Sequence, residues 1–140
     1  MCYANSYIRG VPNDDFITPD GRISSHLFYF YPRDERTDGW LEQSINWLDN
    51  KQVIEFTLNQ KNNKDEIKFK SGIVKLPRNE IDRLNQQPTI KGLLSYERCP
   101  IINNPYHGNL LLKNNTAKPT MKMIAAGLAL TITAHIKNNL

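Results

Sequence analysis

Cysteine is nearly absent: Cys2 and Cys99 are the only two in 140 residues, too few for a zinc tetrad or a disulfide scaffold. That scarcity points to a reducing compartment, and the expected location is the cytoplasm. Long apolar runs are missing as well. The stretch 123–136 carries no charge, yet as a helix it would span only about 21 Å against an apolar bilayer thickness of about 30 Å, so no transmembrane segment is expected. The first ten residues interleave polar and aromatic side chains and hold no apolar segment of the kind a secretory leader needs, so none is expected. Phosphate-cradling glycine patterns are absent too. Neither G-x-G-x-x-G nor a Walker A sequence occurs among the seven glycines, which moves nucleotide hydrolysis down the order of readings. The three histidines, His26, His107 and His135, include no pair at metal-ligand spacing, and neither a metal nor a cofactor is expected.

What the chain does contain suffices for one core. Hydrophobic residues make up 39% and charged residues 23%, and six Tyr, five Phe and two Trp supply large core pieces, a composition that argues against disorder. With no repeat, heptad or Pro/Ser-rich linker, the length fits a single domain over 1–140. The net charge of +4 is unevenly spread. After Glu97 there is no acidic residue, and Arg98, Lys113, Lys118, Lys122 and Lys137 make that stretch +5, while the 13 basic and 14 acidic residues before it leave −1. This surplus marks Lys113, Lys118 and Lys122 as candidate contacts to an acidic protein partner, the expected case, or to nucleic acid. The alternative is a solvated basic edge.

Local patterns place the elements. Tyr7-Ile8-Arg9-Gly10-Val11 reads as a strand ended by a turn at Pro12-Asn13-Asp14-Asp15, and Pro19-Asp20-Gly21 predicts a chain reversal. Residues 26–31 are aromatic enough for a strand, although Ser24 or Ser25 could instead cap a helical turn. Leu41, Ile45 and Leu48 recur at helical spacing behind an Asp38 cap and predict a helix over 39–49. Ile54, Phe56 and Leu58 alternate with Glu55 and Thr57, which with Ile67 and Phe69 predicts a hairpin. Its second strand continues past a bulge at Ser71-Gly72 through Ile73, Val74 and Leu76. Asn79 can cap a short helix ending near Leu84, residues 90–96 and 109–112 read as strands, and 118–136 reads as a helix. Its stripe Ile124, Leu128, Ile132 and Ile136 is expected to pack in the core, with a second copy or another partner as the alternative occupant. The fold expected is α+β: a small, mainly antiparallel sheet with two or three helices.

Few residues carry recognisable chemistry. Tyr106 and His107 sit in a Pro-Tyr-His-Gly turn, where side chains stand open for binding. With Lys113 and His26 they would supply the base, acid and cation that metal-independent RNA cleavage requires. Cys99, followed by Pro100, belongs to no nucleophile motif and reads as an inert thiol; His135 reads as structural. Tyr7-Ile8-Arg9-Gly10 resembles the aromatic-Arg-Gly first strand of the arginine-serine-glutamate ADP-ribosyltransferases, and Ser24-Ser25 and Glu97 follow in that family's order, although the Arg9-to-Ser24 spacing is shorter. The resemblance implies that Arg9 would grip cofactor phosphates.

A second resemblance covers more of the chain. The succession Tyr7-Ile8-Arg9, Asp20-Gly21-Arg22-Ile23-Ser24-Ser25 followed by Phe28, Asp38-Gly39, Gly72-Ile73-Val74-Lys75-Leu76-Pro77 and Asn104-Pro105-Tyr106-His107 resembles a set of small uncharacterised bacterial proteins associated with toxin and phage-defence loci. It implies an accessory or effector protein and carries no catalytic residue across. The expected function is therefore a non-enzymatic binding or accessory component of a bacterial conflict system. The alternative is a small effector enzyme, either a ribonuclease-type toxin using His107 or an ADP-ribosyltransferase-like protein using Arg9.

Overall fold

Six strands and three α-helices are found in the computed structural model, which describes residues 5–31, 36 and 38–138. Strands β1 (Ser6–Gly10), β2 (Trp40–Trp47), β3 (Ile73–Pro77), β4 (Leu94–Arg98), β5 (His107–Lys113) and β6 (Ala134–Ile136) form one sheet in the order β4-β5-β2-β1-β3-β6. Every pairing in it is antiparallel. The helices are α1 (Gln52–Leu58), α2 (Arg78–Asn85) and α3 (Lys118–Leu130). The α+β class read from the sequence is the class of the fold, and no helix among the described residues is long and apolar enough to cross a membrane. Cys2 lies outside the described residues.

Two neighbouring elements exchange the types expected of them. The helix expected over 39–49 is strand β2, and the strand expected over 53–58 is helix α1. Leu41 and Ile45, four residues apart, satisfy a two-residue period as well as a helical one, and in the folded chain Leu41, Gln43 and Ile45 are buried on one face of the sheet. In α1 the inward residues are Val53 and Thr57 with half-buried Ile54 and Leu58 beside them, a helical face. Its start is fixed by Asn50 Oδ1, which accepts the Gln52 N–H at 2.9 Å. Residues 67–70 add only an isolated Lys61↔Ile67 bridge to the expected hairpin. The late helix stops at Leu130 rather than reaching 136, because the run Thr131, Ile132 and Thr133 is β-branched and the chain returns to the sheet as β6, Thr133 N–H donating to Lys75 C=O at 3.0 Å. His135 consequently lies on a strand, with Nε2 2.8 Å from Ser71 C=O. Residues 25–28 form a single 3-10 turn capped by Ser24 Oγ, which accepts the His26 N–H at 3.2 Å.

One face of the sheet, including Tyr7, Leu41, Ile45, Val74, Leu76, Leu110 and Leu112, packs against α3, α2 and the Ser25–Phe28 turn in the main core. Ile124 and Leu128 of α3 are completely covered there, while Met123 and Leu130 face out; the other two residues of the expected stripe, Ile132 and Ile136, lie beyond the helix and are half-buried, Ile136 on β6 against the opposite face. A smaller cluster of Ile8, Leu48, Val53 and Ile73 seats α1 on the opposite face.

The sheet is not continuous across its middle. β1 pairs with β3 over its whole length to Gly10↔Ile73, and β2 pairs with β5 over its whole length to Trp40↔Lys113. Between β1 and β2, however, the ladder holds only Tyr7↔Trp47 and Ile8↔Asn46. Beyond that point the two strands part. Leu128→Asp, which places an unpaired carboxylate in the main core, is expected to cost several kcal/mol and abolish soluble folded protein; an unchanged melting curve would mean that α3 does not pack as described.

Candidate functional site

The parting of β1 and β2 positions two concavities with polar linings. Antiparallel geometry turns the N–H and C=O of Gly10 and of Ser44 toward one another's strands, yet no ladder bond joins them. The Ser44 carbonyl is taken instead by a side chain: Arg9 Nη1 donates to it at 2.7 Å, and Arg9 Nε donates to Leu27 C=O in the 3-10 turn at 2.8 Å. On the other face the Phe69 ring lies over Gly10, in the space any Cβ at that position would need. The opening thus has the Phe69 ring on one face and the Arg9 guanidinium bridge on the other.

Two concavities meet there, sharing Gly10, Ser44, Lys68 and Phe69. On the face of Arg9, a concavity of about 360 Å³ is walled by Arg9, Gln43, His26, Tyr29 and Tyr31. The Tyr29 and Tyr31 rings stand edge to face with centroids 5.3 Å apart, and Lys122 of α3 lies beside them in an adjoining hollow. Gln43 is only 4% exposed, and neither its amide nitrogen nor its amide oxygen has a hydrogen-bond partner. Among the described residues the Tyr7 hydroxyl is the only other buried side-chain group in that condition.

On the opposite face a concavity of about 150 Å³ is lined by Ser44, Asn46, Gln60, Lys68, Asn104 and His107, among others. Its floor is a buried amide network. Asn46 Nδ2 donates to Thr57 Oγ1 at 2.8 Å and to Gln60 Oε1 at 2.9 Å, and Asn46 Oδ1 accepts from Asn104 Nδ2 at 2.9 Å. Asn104 Oδ1 in turn accepts the Tyr106 N–H at 3.0 Å. This network ties β2 to α1 and to the loop that delivers His107. The imidazole is held by Nδ1 2.9 Å from Cys99 C=O, with Nε2 3.4 Å from Ser44 Oγ.

The structure brings together some of the residues singled out from the sequence and separates others. Arg9 and His107 converge on Ser44 from the two faces. Tyr106 turns away to pack edge to face on Phe56, with centroids 5.2 Å apart. Lys113 stands at the far end of β5 from His107, about 20 Å along the strand, with its ammonium over the Trp40 ring. The set His107, Tyr106 and Lys113 is therefore not a cluster. Lys118 and Lys122 are exposed one turn apart on α3. His26 is exposed at the rim of the larger concavity, and Cys99 is exposed beyond β4.

Glu97 on β4 is already engaged. Asn109 Nδ2 donates to its Oε2 at 2.9 Å, and Arg36 Nη1 lies 2.6 Å from the same oxygen. The Asn109 amide and then the Arg36 guanidinium hold its carboxyl below the usual carboxylate range. Among the described residues no group of histidine, cysteine and carboxylate side chains could hold a metal ion. Sequence reading overlooked Gln43, Ser44 and Lys68. The signal for Gln43 was a polar residue at an inward position between Leu41 and Ile45, visible only once that segment is read as a strand.

Because the folded-state pKa of Glu97 is depressed, its contribution is present at neutral pH and is lost as pH falls below about 4. The side chain is 31% exposed, which limits the contribution to about 1 kcal/mol or less. Glu97→Gln should lower the melting temperature slightly at pH 7, and the gap from the parent should close toward pH 3; a gap of constant size across that range would contradict the pairing.

Comparison with protein-family models, with curated proteins and with solved structures finds no match to this chain.

Proposed function

We propose that the protein works by binding, and that its ligand is a small planar anion held in the opening between β1 and β2. The observation that carries this reading is Gln43. Leaving a buried amide unpaired costs about 1–3 kcal/mol, and a concavity of about 360 Å³ beside it falls within the size range of small-molecule sites, roughly 300–1,000 Å³. A ligand edge offering one donor and one acceptor removes that cost. The surrounding groups fit the remainder of such a ligand. Tyr29 and Tyr31 give a planar group aromatic surface to lie against, and among the described residues Arg9, Lys68 and His26 bring basic groups to the same hollow, against Glu42 of the opposite sign.

On the sequence resemblance, we assign this binding role to an accessory component of a bacterial conflict system acting in the cytoplasm. The exposed pair Lys118 and Lys122 favours an acidic protein partner over nucleic acid, since two lysines on one helix without interleaved aromatics make a poor phosphate track.

Gln43→Met keeps the shape of the side chain and removes its polar atoms. It is expected to stabilise the free protein by about 1–3 kcal/mol, as deletion of unsatisfied buried groups does, and to abolish the thermal stabilisation given by whichever member of a panel of nucleotides, sugar phosphates and aromatic carboxylates binds the parent. A destabilised Gln43→Met protein, together with no compound in the panel raising the parent's melting temperature, would overturn the reading.

A further inference from the structure

The smaller concavity holds an arrangement that binding alone does not use. The Cys99 carbonyl can only accept a hydrogen bond, so the nitrogen 2.9 Å from it, His107 Nδ1, carries the ring proton. The neutral ring then presents its lone pair at Nε2, and the atom within reach is Ser44 Oγ at 3.4 Å. That serine is exposed and lines the concavity. The tautomer and the orientation of the base are thus set by a backbone carbonyl, the part an aspartate plays in a serine triad. A separation of 3.4 Å is long for a hydrogen bond, but such contacts in the free state tighten when substrate is bound.

The surroundings complete the requirements of acyl transfer. Lys68 lines the same concavity, and among the described residues its ammonium makes no ion pair and stands 5.4 Å from the Phe69 ring centroid. A cation there can meet the negative charge that develops on a carbonyl oxygen. Ile8, Phe69 and Ile101 give the hollow apolar walls, and its volume of about 150 Å³ suits a short acyl chain.

We propose that Ser44 and His107 form a nucleophile and general base pair that cleaves esters of short-chain carboxylic acids. Ser44 Oγ attacks the ester carbonyl carbon while its proton passes to His107 Nε2. The carbon–oxygen bond of the ester breaks, and the leaving alcohol takes that proton from His107. Water, deprotonated by the same Nε2, then attacks the acyl-serine and releases the carboxylic acid, which restores Ser44. Ser44 and His107 are catalytic residues in this scheme, and Lys68 stabilises the oxyanion. The two concavities share Ser44 and Lys68, but the proposal does not depend on what the larger one binds.

An alkyl fluorophosphonate tests it directly on the full chain, because the serine oxygen displaces fluoride and leaves a stable adduct whose mass can be mapped. The expected result is one adduct per chain on Ser44, none in Ser44→Ala, and labelling slowed by about a hundredfold or more in His107→Gln, as for loss of a general base. Melting curves establish that both variants are folded, and the parent result stands without them. Absence of any adduct on Ser44 in the parent at saturating probe, or labelling of folded His107→Gln at the parental rate, would overturn the proposal.

Discussion

The opening that carries both candidate sites follows from the place where β1 lets go of β2. The ladder between them is two pairs long, while each strand remains fully paired with its other neighbour. The fold therefore spends little pairing energy at the centre of the sheet and keeps its stability in the two wings and the core beneath them. Arg9 makes the opening tolerable. Its guanidinium supplies the Ser44 carbonyl with a donor that a paired strand would otherwise have provided, and ties the same place to the Leu27 carbonyl of the 3-10 turn. Phe69 covers Gly10 beside the opening, in the space that a Cβ there would need. Ser44 is the residue on which both faces depend: its carbonyl is tied to Arg9 and its hydroxyl faces His107.

The two faces differ in how their polar groups are satisfied, and that difference separates support from function. Asn46, Thr57, Gln60 and Asn104 form a network in which each amide has a partner. Such a network rigidifies the loop behind His107 and fixes the ring that it carries. Gln43, two positions nearer the parted end of β2 than Ile45, has no partner at all. A fold that satisfies Asn46, Thr57, Gln60 and Asn104 on one face of the sheet is not short of hydrogen-bonding partners in general; on the other face, Gln43 lies unsatisfied at the opening, and the Tyr7 hydroxyl lies unsatisfied where the two strands are still paired. The basic residues follow the same logic. The excess in the last third is dispersed, with Lys113 over Trp40, Lys118 and Lys122 on α3, and Lys137 beside Lys70 near Ser71, so no single basic patch results. Lys68, from the evenly charged part of the chain, is the cation that reaches both concavities.

Sequence alone yields the fold class and most of the elements, because β1, β3, β5, α2 and the start of α3 have patterns with one reading. It exchanges β2 and α1 for a physical reason. Hydrophobic residues four apart fit a helix and a strand equally, and only the neighbours decide: β2 is the strand that joins both wings, whereas residues 52–58 bury one helical face against the sheet. That exchange also hid the site. In a helix over 39–49, Gln43 would lie on the polar side and Ser44 would merely flank the apolar stripe; on β2 they fall on opposite faces at the point of parting. His107 and Arg9 were legible as candidates from a turn and a strand motif, but their convergence on Ser44 is a long-range fact, spanning 63 and 35 residues, that no local pattern contains.

The parting of β1 from β2 is the claim on which both functional readings rest, and amide hydrogen exchange measures it residue by residue. Protection follows the bond each N–H makes. The amides of Ile8 and Asn46, paired across the two strands, should exchange slowly, near the limit set by global unfolding. Those of Gly10 and Ser44, which face the opening, should exchange orders of magnitude faster under the same conditions. Equal, slow exchange at all four positions would mean that the ladder continues through Gly10 and Ser44, and would contradict the account.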